Sequence, residues 1–199
     1  MKKTKQSKTN QLKKLRKEIE KVQDAKRYEH TLGVEYTAAA LTMRYDCDIN
    51  DARIAGLLHD CAKCLSDEKL LSICEKRNIS INEIEKKNPS LLHAKVGSFL
   101  AMDEYGVSDQ DVIHAILNHT TGRPGMSILE KIIFVADYIE PGRNKAPNLN
   151  EIRQLAFANL DAAMLRILED TLNHLDERGG DIDPMTRRTY NFYRPDSEE

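Results

Sequence analysis

Asn50-Asp51-Ala52-Arg53-Ile54-Ala55-Gly56-Leu57-Leu58-His59-Asp60 is the stretch that decides the fold. Asn50 and Asp51 have the short polar side chains that cap a helix start. Ile54, Ala55, Leu58 and, just beyond, Cys61 fall on one face at helical spacing. An amphipathic helix therefore runs into His59-Asp60, a polar pair at the end of an apolar run. A carboxylate in that position needs a partner, because burying it unpaired is costly. A Lys such as Lys63 would serve, and so would a divalent cation with the adjacent imidazole as a second ligand.

Outward from this stretch the period stays helical. Val34, Ala38, Leu41 and Tyr45 place a helix over 27–45, with His30 in its first turn. Ser66 followed by Asp67-Glu68-Lys69 caps a short helix near 67–77. Further helices are predicted over 91–103, stopping before Gly106, and 109–118, ended by the Gly122-Arg123-Pro124-Gly125 turn. Another covers 127–138, broken at Pro141-Gly142, and one long helix runs over 150–175 to Gly179-Gly180. No stretch alternates with period two between turn signals, and there is no repeat or long linker. The predicted fold is a single all-α bundle.

Composition agrees. With 199 residues, 40% apolar and 31% charged, the chain is long enough to bury a core and too apolar for disorder. No run approaches the roughly 18 apolar residues of a membrane span, and no secretory segment follows the basic start, so a cytoplasmic location is expected. Lys2, Lys3, Lys5, Lys8, Lys13, Lys14, Arg16 and Lys17 all precede the first acidic residue, Glu18, although the net charge is −2. Residues 1–17 are expected to form a mobile basic arm ahead of a domain spanning 18–199. Without interleaved aromatics, nucleic acid is not its expected partner. Cys61 and Cys64 have CxxC spacing, but there is neither a second pair for zinc nor a strand for a redox motif. Cys47, Cys61, Cys64 and Cys74 are read as free thiols.

Six histidines remain: His30, His59, His93, His114, His119 and His174. A single histidine is more often structural than a ligand. Here His30 lies near a helix start, His59 and His119 near helix ends, and Asp137 follows Ile132-Ile133-Phe134-Val135-Ala136 as Asp60 follows its own apolar run. Helix ends converging on one rim of a bundle would bring these groups together around a metal. His114 and His119 lie five apart, about 140° around a helix, so only one faces such a site. The GRPG turn favours His119, which leaves His114 and His174 as structural or exposed residues.

The order His30, His59-Asp60, Asp137 resembles the signature of the HD-domain metal-dependent phosphohydrolases. Longer words narrow the likeness: Arg27-Tyr28-Glu29-His30-Thr31, Leu58-His59-Asp60-Cys61-Ala62-Lys63, Leu92-His93-Ala94, His119-Thr120-Thr121-Gly122-Arg123-Pro124-Gly125-Met126 and Val135-Ala136-Asp137-Tyr138-Ile139-Glu140-Pro141. Together they resemble the YqeK-type branch, the symmetrical bis(5'-nucleosyl)-tetraphosphatases, from about residue 20 to 194. The resemblance implies a divalent transition metal, iron first, on His30, His59, Asp60 and Asp137. It also implies hydrolysis of diadenosine tetraphosphate and related dinucleoside polyphosphates at the midpoint, giving two ADP.

On this reading His93 and His119 act with Asp60 in catalysis, touch phosphate, or hold a second metal. Arg27, His30, Lys63, Thr120 and Arg143 lie near the phosphates, and Arg123 is a further candidate cation. Oligomer formation is left open. Two other readings compete: a di-iron HD-type oxygenase, which would use the same His and Asp residues, and a nucleic-acid- or ribosome-associated protein working through the basic arm with a degenerate site. The cationic set and the HTTGRPGM word argue against the first, and the complete ligand set against the second.

Overall fold

The computed structural model describes residues 2–195, and side chains from residue 10 onward. Those residues form eleven α-helices and no strand: α1 (Lys2–Val22), α2 (Ala25–Thr42), α3 (Ile49–Leu58), α4 (Asp67–Lys76), α5 (Glu83–Lys87), α6 (His93–Asp103), α7 (Gln110–Asn118), α8 (Ile128–Ile139), α9 (Leu149–Ala158), α10 (Leu160–Glu177) and α11 (Pro184–Tyr193). A 3-10 turn, Pro89–Leu92, precedes α6. The fold is all-α, as expected. Among the described residues no helix is long and apolar enough to cross a membrane.

Helices α2, α3, α7 and α8 pack on one another around Val34, Leu41, Leu57, Leu58, Ile116, Ile132 and Ile133. Met164, Ile167 and Leu168 of α10 belong to the same core. A smaller cluster, Ala62, Leu70, Cys74, Leu92 and Val96, backs the 3-10 turn that leads into His93. Gly56 lets α2 and α3 approach closely, because a Cβ there would lie 2.9 Å from the Glu35 Cα. All four cysteines are free; Cys61 and Cys74 are buried and Cys64 is exposed.

Several expected boundaries move. The cap of α3 is Asp48, whose carboxylate accepts from the N–H groups of Asn50 and Asp51, so Asn50 and Asp51 lie inside the helix. Because α2 starts at Ala25, His30 sits in its second turn. The long helix expected over 150–175 is two helices, divided at Asn159. That residue is extended (φ −148°, ψ 104°), and its side chain caps α10 by accepting from the N–H of Ala162. Helices α1, α5 and α11 were not foreseen.

The boundary expected after residue 17 falls within α1. Leu12, Leu15 and Ile19 are buried in the main core. Arg16 donates from Nε and Nη2 to the two oxygens of Glu35, at 2.9 and 2.8 Å, and Arg53 Nε donates to the same fully buried carboxylate at 2.9 Å. Just past α1, Gln23 Nε2 donates to the Asp60 carbonyl at 3.1 Å, so this helix braces the turn that holds Asp60. The side chains of Lys2, Lys3, Lys5 and Lys8 lie outside the described residues.

Candidate metal centre

Three helices end where the polar residues gather. His59 is the C-cap of α3, His119 the C-cap of α7, and Asp137 lies in the last turn of α8. The C-terminus of a helix carries partial negative charge on its free carbonyls, which favours a cation. Each imidazole takes up one such carbonyl. His59 Nδ1 donates to the Gly56 carbonyl and His119 Nδ1 to the Ile116 carbonyl, both at 2.7 Å. His93 repeats this at the end of the 3-10 turn, with its Nδ1 donating to the Ser90 carbonyl at 2.7 Å. His30, inside α2, instead donates from Nδ1 to Glu140 Oε1 at 3.0 Å. In all four rings the proton is thereby assigned to Nδ1 and the Nε2 lone pair faces inward.

These lone pairs converge. His30 and His59 Nε2 are 3.3 Å apart, and His93 and His119 Nε2 are 3.2 Å apart. Asp60 lies between the pairs. Its Oδ2 is 3.6 Å from His59 Nε2 and 3.9 Å from His30 Nε2, whereas Oδ1 is 3.3 Å from His93 Nε2 and 3.6 Å from His119 Nε2. Asp137 Oδ1 adds contacts of 3.1 Å to His30 Nε2 and 3.9 Å to His59 Nε2. Three donor sets result, each with ligand atoms within 4.8 Å of one another: His30, His59 and Asp60; His59, His119 and Asp137; Asp60, His93 and His119. Imidazole Nε2 atoms and carboxylate oxygens facing one another out of water need shared protons or a cation between them. A divalent cation satisfies them together, so the residues fit a metal.

Charge is tuned accordingly. Burial pushes Asp60 and Asp137 up, but the surrounding histidines outweigh it and hold both carboxyls below the usual range. Burial lowers His59, and it takes His93 down to about 3 with help from the charges of His119 and Lys63. In His30 and His119 burial is opposed and exceeded by carboxylates, Asp137 with Glu140 for the first and Asp60 for the second, so both are raised. Burial lowers the half-buried Lys63 ammonium.

Cations ring the cluster. Arg27 Nη1 donates to Asp60 Oδ2 at 2.7 Å, so the ion-pair partner of Asp60 is Arg27 and not Lys63. Arg143 Nη2 donates to Asp137 Oδ1 at 2.8 Å. Lys63 Nζ lies 3.2 Å from His93 Nδ1, and Thr120 Oγ1 3.5 Å from His119 Nε2. A cavity of about 660 Å³ opens beside His30, lined by Lys26, Arg27, Pro141, Arg143 and Lys145 among others. A second depression of about 670 Å³ continues past Arg143 along Asn144, Asn148 and Arg153.

Every expected site residue is therefore brought into one cluster: His30, His59, Asp60, Asp137, His93, His119, Arg27, Lys63, Thr120 and Arg143. His114 and His174 are exposed and outside it. Arg123 also lies outside the cluster, because its guanidinium grips both oxygens of the buried Glu130 at 2.7 Å. Sequence reasoning passed over Glu140. Its signal was a carboxylate three residues after Asp137, immediately ahead of Pro141-Gly142.

Known proteins resemble this chain. The HD domain family model matches residues 27–142. A symmetrical bis(5'-nucleosyl)-tetraphosphatase of Bacillus subtilis is 41% identical over 83% of this chain and 88% of its own. A Staphylococcus aureus protein of the same name is 35% identical over 87% and 89%. A crystal structure of a predicted HD superfamily hydrolase involved in NAD metabolism, from Clostridium acetobutylicum, superposes with a TM-score of 0.88. It is 41% identical and the match covers 91% of this chain and 95% of that one.

Proposed function

Because this chain belongs to the HD domain family and, within it, to the symmetrical bis(5'-nucleosyl)-tetraphosphatases, we propose that it hydrolyses diadenosine tetraphosphate, and related dinucleoside polyphosphates, to two nucleoside diphosphates. One observation carries the reading at the level of chemistry: four imidazole lone pairs and two carboxylates converge at the C-termini of three helices, beside a cavity edged with Arg and Lys. The relatives' names lend nothing to an oxygenase or a nucleic-acid-binding protein. A cytoplasmic location fits a nucleotide substrate.

His30, His59, Asp60 and Asp137 are the residues we assign to the first ion. Asp60, through its other oxygen, would join His93 and His119 in holding a second. Mixed imidazole and carboxylate donors suit iron, manganese and zinc, and the likeness to the tetraphosphatases favours iron. When bound, such an ion lowers the pKa of water and neutralises charge on phosphate oxygens.

The rest is done by the chain itself. Water attacks one of the two inner phosphorus atoms and the bridging P–O bond breaks. One ADP leaves on the bridging oxygen, the other keeps the oxygen of water, and a proton is released. Arg27 and Arg143 stand where positive charge meets the phosphates, since each already binds a carboxylate oxygen of the cluster. Lys63 adds a third cation beside His93, and Thr120 a hydroxyl beside His119. Phosphoryl transfer depends mainly on such positioning and charge. His93 and His119 Nε2, 3.2 Å apart, are reconciled either by the second cation or by one proton held between them for the departing ADP. The cavity beside His30 and Arg143 gives room for a nucleoside next to the phosphates.

Metal dependence tests this reading. Purified protein should carry one or two transition-metal ions per chain, and chelation should abolish hydrolysis until Fe(II) or Mn(II) is restored. His59→Ala and Asp60→Ala should lose the metal while keeping most of their helical signal. Full metal content and activity in both variants would overturn the ligand assignment.

A further inference from the structure

His30 differs from the other three histidines in how its ring is held. His59, His93 and His119 each stand at the end of a helix or 3-10 turn, where the carbonyl three residues back is free to accept from Nδ1. His30 stands inside α2, where the preceding carbonyls are committed to the helix ladder. Its Nδ1 proton therefore needs an acceptor from elsewhere in the fold. Glu140, the C-cap of α8, supplies it at 3.0 Å.

We propose that Glu140 is the positioning residue that fixes His30 as a metal ligand, and that Gly33 and Gly142 form the slot that fixes Glu140. The carboxylate is buried, and both oxygens are engaged: Oε1 accepts from His30 Nδ1, and Oε2 accepts from the Gly142 N–H at 2.5 Å. Gly33 lies one turn beyond His30 on the same face of α2. A Cβ on Gly33 would stand 2.5 Å from Glu140 Oε2 and 3.1 Å from Cδ. A Cβ on Gly142 would stand 3.0 and 3.1 Å from the two oxygens. A side chain on Gly33 would displace the carboxylate as it stands, and one on Gly142 would press it aside by a few tenths of an ångström.

The same slot sets the turn that presents Arg143. The Arg143 N–H donates to the Glu140 carbonyl at 3.0 Å, and its guanidinium reaches Asp137. Arg153 secures the turn from behind by donating to the carbonyls of Ile139, Glu140 and Arg143. A carboxylate on Nδ1 fixes the tautomer and ring angle, and it makes Nε2 a stronger donor to metal. Glu140 thus acts on the metal through His30, and needs no contact with substrate.

The inference rests on the metal reading above, so its test includes a control for that reading. Full-length wild type, Glu140→Ala, Glu140→Gln, Gly33→Ala and His59→Ala are titrated with Mn(II) against a competing chelator. Helical signal and Tm are measured on the same preparations. Glu140→Ala and Gly33→Ala should weaken Mn(II) binding about 10- to 100-fold, the usual scale for loss of a residue that orients a ligand. Glu140→Gln should weaken it less than Glu140→Ala. The amide oxygen can still accept from His30, although its NH₂ then opposes the Gly142 N–H.

A merely structural Glu140 would lower Tm and leave the affinity of the folded protein unchanged. That outcome, with His59→Ala losing metal, overturns the positioning role alone. Retention of full affinity by His59→Ala as well overturns the metal reading and this inference with it. Should Glu140→Ala fail to fold, Glu140→Gln and Gly33→Ala decide by the same comparison.

Discussion

Arg123→Gln separates two roles open to a cation in the turn after His119. In the structure the guanidinium donates to both oxygens of Glu130 at 2.7 Å, and that carboxylate is 1% exposed. Without Arg123, Glu130 keeps two neutral donors, Asn118 Nδ2 at 2.8 Å and the Ser127 N–H at 2.7 Å. Breaking a fully buried ion pair costs about 3–5 kcal/mol. Arg123 is 36% exposed and two donors remain, so the discounted expectation is about 2–3 kcal/mol. In a chain of this length that is about 4–12 °C in Tm.

The loss should also depend on pH. Burial pushes Glu130 up, but Arg123, Ser127 and Asn118 outweigh it and hold the carboxyl below its usual value. Its contribution to stability is therefore present above the unfolded value of about 4.3. That contribution fades as pH falls through the lower folded value. Denaturant melts at pH 7 should show the full difference between wild type and variant, and melts in acid should converge. Turnover per folded molecule at pH 7 should stay near wild type. A phosphate-binding Arg123 would give the reverse, an unchanged Tm with a large fall in kcat/KM. That result, or an equal loss of stability at both pH values, would refute the reasoning.

Two further perturbations address the site itself. Lys63→Ala and Arg27→Ala should raise KM, lower kcat or do both with metal still bound, each by about 2–4 kcal/mol in kcat/KM, on the scale of a lost oxyanion donor; unchanged kinetics in both variants would return these cations to the surface. His93→Ala and His119→Ala should retain the first ion yet lose roughly 10²–10⁴-fold in rate. Metal content and kcat measured together decide this, and loss of the tightly bound ion in either variant would contradict the division between the two histidine pairs.

Much of this architecture was legible because apolar spacing and caps were strong. Helix α4 starts after the cap expected at Ser66, and α7 and α8 start one residue after the expected positions 109 and 127, where Asp109 and Ser127 are the caps. The site was legible for a related reason: an ionisable residue closing an apolar run has to be answered by something, and both Asp60 and Asp137 do so. Other features were hidden by specific physics. In α1 the buried Leu12, Leu15 and Ile19 sit among lysines, whose charge masked a valid helical stripe. Between α9 and α10 the apolar spacing runs on through Ala156, Leu160, Ala163 and Met164, so only the backbone of Asn159 marks the break. Helix α11 buries little beyond Thr186 and Thr189 and offered hardly any apolar pattern. The pairing of His30 with Glu140 depends on which helices meet, and that of Arg123 with Glu130 on how the turn ahead of α8 folds back onto its first turn; one-dimensional spacing records neither.

The central claim is that one inner phosphoanhydride bond of a symmetric substrate is cleaved. The most direct measurement is chromatography of the earliest products of diadenosine tetraphosphate turned over in ¹⁸O-water, followed by mass analysis. ADP should be the sole nucleotide product from the first time point, with label in half of its molecules, because one ADP takes the oxygen of water and the other departs on the bridging oxygen. ATP and AMP in equal amounts would place the cleavage at an outer anhydride bond and contradict the account.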